Sequence, residues 1–177
     1  MIDLNNLDDF FVVSDTWFGR GNILDIAKRS KFKNVDDMNR QLIKKWNKKV
    51  KKDDVVFHLG NFAWDPLIAE KVAKKLNGHI YFILSNDDAP VLSILNKCDN
   101  IDVLDNQIII MPKNDVVLSH YPLQMWPGQD TGTIHIHGHA VYSHLTDLVN
   151  EKRVNACVDH WDFSPIKLST IKEFIND

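Results

Sequence analysis

Asp15, Asn61, Asn86, Asp87, Asp88, His120 and His139 share one placement: each closes, or closely follows, a short apolar run. The runs are Phe11-Val12-Val13-Ser14 before Asp15, Val55-Val56-Phe57-His58-Leu59-Gly60 before Asn61, and Ile80-Tyr81-Phe82-Ile83-Leu84-Ser85 before Asn86. Val116-Val117-Leu118-Ser119 precedes His120, and Ile134-His135-Ile136-His137-Gly138 precedes His139. Short runs of this kind read as buried strands, and residues beyond their carboxyl ends sit where open α/β sheets bind ligands. Carboxylate, amide oxygen and imidazole are donors for divalent cations. Strand tips drawn from distant parts of the chain therefore predict one polar cluster.

The elements that position these residues follow from periodicity. A first strand is predicted over 10–14, then a loop carrying Gly19 and Gly21, then a short helix over 23–29. Met38, Leu42, Trp46 and Val50 recur at fourfold spacing with Ile43 beside them, so a helix starts at Asp36-Asp37 and buries Trp46. Strands are predicted over 55–59 and 80–84. A helix opens at Asp65-Pro66 and stops near Asn77-Gly78, and another covers 90–97. Strand alternating with helix predicts a layered α/β sheet. Strands over 101–104, 107–111, 116–119, 134–137 and 154–158 are joined by turn residues, which predicts a second, mostly antiparallel sheet. The irregular stretch 122–133, centred on Trp126-Pro127-Gly128, is of the kind that carries binding function. A short helix over 170–175 ends the chain.

The length of 177 residues predicts one domain over 1–177 with a full core. Hydrophobic residues make up 44% and charged residues 25%, the balance of a soluble globular protein. The net charge of -3 argues against a general nucleic-acid grip. The basic run around 44–52 reads as a solvated face at a helix end. No apolar run reaches membrane-spanning length, and the acidic start lacks the basic region of a secretory signal. Cys98 and Cys157 have no metal-type spacing, and a cytoplasmic location is expected.

Over about residues 10–171 the order and spacing of the strand-tip residues resemble the calcineurin-like metallophosphoesterases, above all their small single-domain bacterial and phage members. That family carries D-x-H, G-D-x-x, G-N-H-D/E, a lone His after a strand, and G-H-x-H. This chain has Asp15-Thr16-Trp17, Gly60-Asn61, Ser85-Asn86-Asp87-Asp88, Ser119-His120 and Gly138-His139-Ala140-Val141. Lys45-Trp46-Asn47 and Ser119-His120-Tyr121-Pro122 are lesser likenesses. The resemblance implies an α/β (α+β) fold, a two-sheet β-sandwich flanked by helices. It also implies two divalent cations that share one carboxylate, clamp a phosphate and activate a bridging water.

Carried over by position, the first cation would use Asp15, Trp17, Asn61 and Val141, and the second Asn61, Asn86, His120 and His139. An indole N–H has no lone pair for a metal, Val141 has no donor, and Asn61 offers a neutral bridge in place of a carboxylate. The first site is expected to be empty. The second is expected to hold either no metal or one Mn²⁺, Zn²⁺ or Fe²⁺ at low affinity. Asp87 stands at the general acid's position, but an ordinary aspartate, with a pKa of about 3.9, is already ionised near neutral pH. The resemblance thus implies a catalytically impaired pseudo-phosphoesterase that binds a protein partner or a phosphate-containing ligand such as a nucleotide. A phage accessory protein working in the host cytoplasm is one such role. The alternative is a mononuclear metal-dependent phosphodiesterase or phosphatase of weak activity. Trp17, Asp88 and Trp126 are the expected binding residues: Trp17 either fills the vacated metal pocket or offers a platform, and Trp126 is an exposed anchor. His58, His79, His135, His137 and His144 make weaker candidates than His120 and His139; His135 and His137, alternating on one strand, read as a solvated or packed face, and Asp159 and Trp161 as structural.

Overall fold

The computed structural model describes residues 7–25, 29–139 and 152–176. Strand β1 (Phe11–Val13) is followed by helix α1 (Val35–Lys49), β2 (Val55–His58), α2 (Pro66–Ala73), β3 (His79–Ile83), α3 (Leu92–Leu95) and β4 (Ile101–Leu104). Then come β5 (Ile108–Met111), β6 (Val116–Ser119), β7 (Ile134–His137), β8 (Arg153–Asn155), β9 (Ile166–Lys167) and a helix, α4 (Leu168–Asn176). Asn34 caps α1 by accepting from the Asp37 amide, with Asp36 and Asp37 in the first turn and Lys48 and Lys49 in the last. Those charges oppose the helix dipole at both ends. Asp65 caps α2 in the same way, with Pro66 at its first position. The helix expected over 23–29 is a 3-10 turn, Gly21–Asp25, as far as it is described.

The first sheet has the order β4-β3-β2-β1-β9, with β1 to β4 parallel and β9 antiparallel to β1. The second has the order β5-β6-β7-β8, and only the β5–β6 pair is antiparallel. Two expectations are corrected here. Strand β4 extends the first sheet, because α3 carries the chain back to run parallel to β3. The second sheet is mostly parallel: β7 lies parallel to β6 and β8 parallel to β7, and the described segment 120–133 between β6 and β7 is long enough to cross over without an α-helix. The fold is a mixed α/β arrangement of two mixed sheets with flanking helices.

Alternation along the strands splits the core into two layers. Val13, Val56, Ile80 and Phe82 face the helices, where they meet Met38, Leu42, Trp46, Ala69 and Leu95. Val12, Phe57, Tyr81 and Ile83 face the second sheet, where they meet Met111, Leu118, Ile136 and Val154, with Leu168 and Ile171 of α4. No helix among the described residues is long and apolar enough to cross a membrane.

Candidate functional site

The two sheets are joined where β1 ends. Ser14 pairs with Cys157 in an isolated parallel bridge, and its amide donates to Ala156 O at 3.0 Å. Just beyond, the chain turns through the left-handed region at Asp15 (φ 57°), Trp17 (φ 50°), Asn61 (φ 60°) and His139 (φ 56°). Non-glycine residues adopt that region at a cost, and such strain clusters at functional sites. Two glycines let the tips approach. A Cβ on Gly60 (φ +89°) would lie 2.6 Å from His120 Nδ1, and one on Gly138 would lie 2.8 Å from Ser14 Cβ.

A buried guanidinium holds the first loop. Arg29 Nη1 donates to Thr16 O at 3.0 Å and Nη2 to Asp15 O at 2.5 Å. Nε and Nη2 also grip the Asp159 carboxylate at 2.9 and 2.5 Å. Arg29 and Asp159 are both buried.

The polar tips form a closed chain of hydrogen bonds. Asp15 is fully buried. Its Oδ1 accepts from Asn61 Nδ2 at 2.7 Å, and its Oδ2 accepts from Ser14 Oγ at 2.7 Å and from the His139 amide at 3.0 Å. Burial raises the Asp15 pKa, while the bonds from Asn61 and Ser14 and the nearby His120 oppose that rise. Asn61 Oδ1 accepts from Ser85 Oγ at 2.8 Å. Asp88 then accepts from the amides of Asn61 (2.8 Å), Phe62 (2.9 Å) and Ser85 (2.9 Å) and from Ser85 Oγ (2.6 Å). On the other side His120 Nδ1 lies 2.5 Å from Leu59 O. A carbonyl can only accept, so the Nδ1 proton is fixed there and Nε2 keeps a lone pair. That lone pair faces His139 Nδ1 at 3.2 Å. Burial pulls the His120 pKa down. Tyr121 packs edge-on against His120 and His139, with ring centres at 4.6 and 4.7 Å.

Asp15, Asn61, His120 and His139 are therefore brought together as expected, whereas Asn86 and Asp87 are exposed on the 3-10 turn Asn86–Asp88. Asp88 is corrected as a binding residue: it is fully buried, and four donors occupy its carboxylate. Trp126 is corrected too. It is 5% exposed, its indole donates to Thr133 O at 2.8 Å, and it packs on His135. The long loop folds back on its own anchor. Trp17 is buried and joins the helix-side core, its ring 3.9 Å from the Arg20 guanidinium, so packing rather than a platform is its role. Val141 and His144 lie outside the described residues. Among the described residues no group of three or more His, Cys, Asp or Glu side chains is arranged to hold a metal ion.

His58 is a satisfied core histidine. Gly60 N donates to its Nδ1 at 3.2 Å, so Nε2 carries the proton and bonds Thr16 Oγ1 at 3.0 Å. Ser14, Arg29, Ser85 and Tyr121 are site residues that the spacing argument passes over. Ser85 had a signal: a serine before Asn86, where the resembled family has glycine.

No protein-family model matches the chain. A curated relative, the uncharacterized protein MJ1445 of Methanocaldococcus jannaschii, is 32% identical over an alignment of 174 residues, which covers 93% of this chain and 90% of the relative. Among solved structures, the crystal structure of the protein of unknown function AQ665 from Aquifex aeolicus matches with a TM-score of 0.70 at 24% identity. That match covers 94% of this chain and 98% of the other, and at this identity it shows the shared fold alone.

Proposed function

For this chain, which belongs to the family of the Methanocaldococcus jannaschii protein MJ1445, we propose a calcineurin-like metallophosphoesterase scaffold whose catalytic centre has become a binding crevice. One observation carries the reading: the Asn61 amide spans the gap between Asp15 and Ser85, with its protons on the carboxylate and its oxygen on the hydroxyl. A cation approaching Asp15 Oδ1 meets those amide protons, and the oxygen that could bridge two cations is already engaged. The hydrogen bonds that would be lost to a metal are the ones that hold the strand tips together. The protein acts by binding a protein partner. The loop leaving β6 at the crevice carries Tyr121 and Met125, both exposed, which supports that choice over a bare phosphate.

A mononuclear hydrolase is the second reading, favoured by the adjoining His120 and His139 imidazoles. Elemental analysis of protein purified without chelator, with turnover of bis(p-nitrophenyl) phosphate in added Mn²⁺, separates the two. No stoichiometric metal and no turnover above the blank is the expected result. Two bound cations with rapid turnover would overturn it. One cation, with slow turnover lost in His120→Ala, would install the mononuclear reading instead.

Asn61→Asp tests the carrying observation directly. The change removes the donor to Asp15 and sets two buried carboxylates face to face, which strongly raises one pKa of the pair. Each unit of rise costs about 1.4 kcal/mol at neutral pH. Because the folded pKa is raised, the penalty is present above the ordinary carboxylate range, near pH 4, and is relieved in acid. A divalent cation should offset it, so Mn²⁺ should raise the melting temperature of the variant and leave the parent unmoved. Equal stabilisation of both proteins would show that Asn61 does not exclude metal.

A further inference from the structure

A cleft of about 540 Å³ opens beside Phe11, at the start of β1, whereas Asp15 follows the end of that strand. Its volume is in the range of small-molecule sites. Phe11, Trp161 and Ile166 supply apolar surface, and Lys49, Lys167 and Asp162 line it with charge. Lys45 holds Asp162 at 2.5 Å, and this bond, helped by the charges of Lys45, Lys31 and Lys49, keeps the Asp162 pKa below the usual carboxylate range. Lys167 lies 3.6 Å from Asp9. Four ammonium groups thus gather around two carboxylates, an excess of two positive charges. Lys49 is exposed, yet the hydration it loses at this wall pulls its pKa down. The basic run that reads as a solvated face in the sequence therefore has a member turned into a cleft.

We infer that this cleft binds a phosphate monoester carrying a flat apolar group, the chemistry of a nucleoside monophosphate, with its phosphate between Lys49 and Lys167 and its ring against Trp161. A phosphate monoester carries close to two negative charges near pH 7, which matches the local excess better than a carboxylate does. The Lys167 ammonium stands 5.5 Å from the Phe11 ring centre, so the charge sits above the apolar floor. A ligand with both features satisfies both surfaces. This site is separate from the crevice around Asp15, and the inference does not rest on the function proposed for that crevice.

Isothermal titration at low salt, with AMP, adenosine and inorganic phosphate as probes, tests it. AMP should bind one-to-one, and adenosine and inorganic phosphate should each bind at least about tenfold more weakly. Lys49→Met and Lys167→Met, both changes of side chains reaching the surface, should each weaken AMP by about tenfold, while His139→Ala leaves it unchanged. No heat with AMP at millimolar concentration would overturn the inference. So would phosphate binding as tightly as AMP, or AMP binding that is lost in His139→Ala and kept in the lysine variants.

Discussion

Acidification from pH 7 towards pH 4 should unfold the protein in one steep transition. Burial, the largest cause in each case, pushes His58 down to about 3, His135 to about 3 and His137 to about 4. Among the described residues, His135 Nδ1 and His137 Nε2 have no hydrogen-bond partner, so nothing at those atoms offsets the lost hydration. In the unfolded chain each histidine titrates near 6.5. The folded pKa values are depressed, so the unfolded state takes up the protons first as pH falls. Stability is full above about 6.5 and is lost below it until the folded values are reached. With three histidines the slope approaches about 4 kcal/mol per pH unit. A domain of this size holds roughly 5–15 kcal/mol in all, so unfolding should be complete before the folded histidines titrate. Asp15 works the other way. Its pKa is raised by burial, so acid relieves its penalty and shallows the slope by up to one proton's worth. Urea unfolding at pH 7, 6 and 5 measures the slope directly. His58→Phe should reduce it by about a third. A flat response between pH 7 and 5 would mean that the three imidazoles are hydrated after all.

Much of this fold is legible in the sequence because its signals are local. The fourfold spacing of Met38, Leu42 and Trp46 marks α1, and Asp65-Pro66 marks the start of α2. The partners of the strands were less legible. Turn residues between runs suggest antiparallel neighbours, yet β6, β7 and β8 lie parallel, and between β6 and β7 the irregular segment 120–133 makes the crossover that a helix usually makes. The two-residue strand β9 has no pattern to read, and it exists because it completes the edge beside β1. Strand ends were the most informative feature. A polar residue that ends an apolar run must leave the core, and parallel strands deliver their ends to one edge. Asp15 and Asn61 meet on that basis alone, at 2.7 Å.

What spacing does not convey is which groups already satisfy one another. Asp88 stands beside Asp87 in sequence, but one carboxylate is buried under four donors and the other is exposed. Trp126 lies in the middle of a loop with Pro127 and Gly128, and the loop closes over it. Both are decided by backbone donors and acceptors brought from elsewhere, and those carry no side-chain signature. Arg29 is the clearest case. It is separated from Asp159 by 130 positions and touches Asp15 and Thr16 only through their carbonyl oxygens.

Arg29→Met should therefore cost about 3–5 kcal/mol, the range for breaking a buried pair by removing one partner. Four losses coincide. Among the described residues, Asp159 then keeps only the weak Cys157 thiol donor at 3.2 Å. The carbonyls of Asp15 and Thr16 lose donors in the interior. The loop in which Asp15 and Trp17 adopt positive φ loses the clamp that fixes its path. Arg29→Lys should recover little, since an ammonium cannot grip a carboxylate and two carbonyls in the same plane. Asp159→Leu placed on top of Arg29→Met should recover more, because it removes the orphaned charge rather than replacing its partner. A double-mutant cycle in urea reads that coupling. Full additivity, or a single-variant cost below about 1 kcal/mol, would show that water reaches the pair and that the Asp15 loop is held by its strand contacts alone. If the coupling is large, the polar cluster owes its shape to a bond on the far side of the loop, and the Asp15–His139 contact should loosen in Arg29→Met before the sheet does.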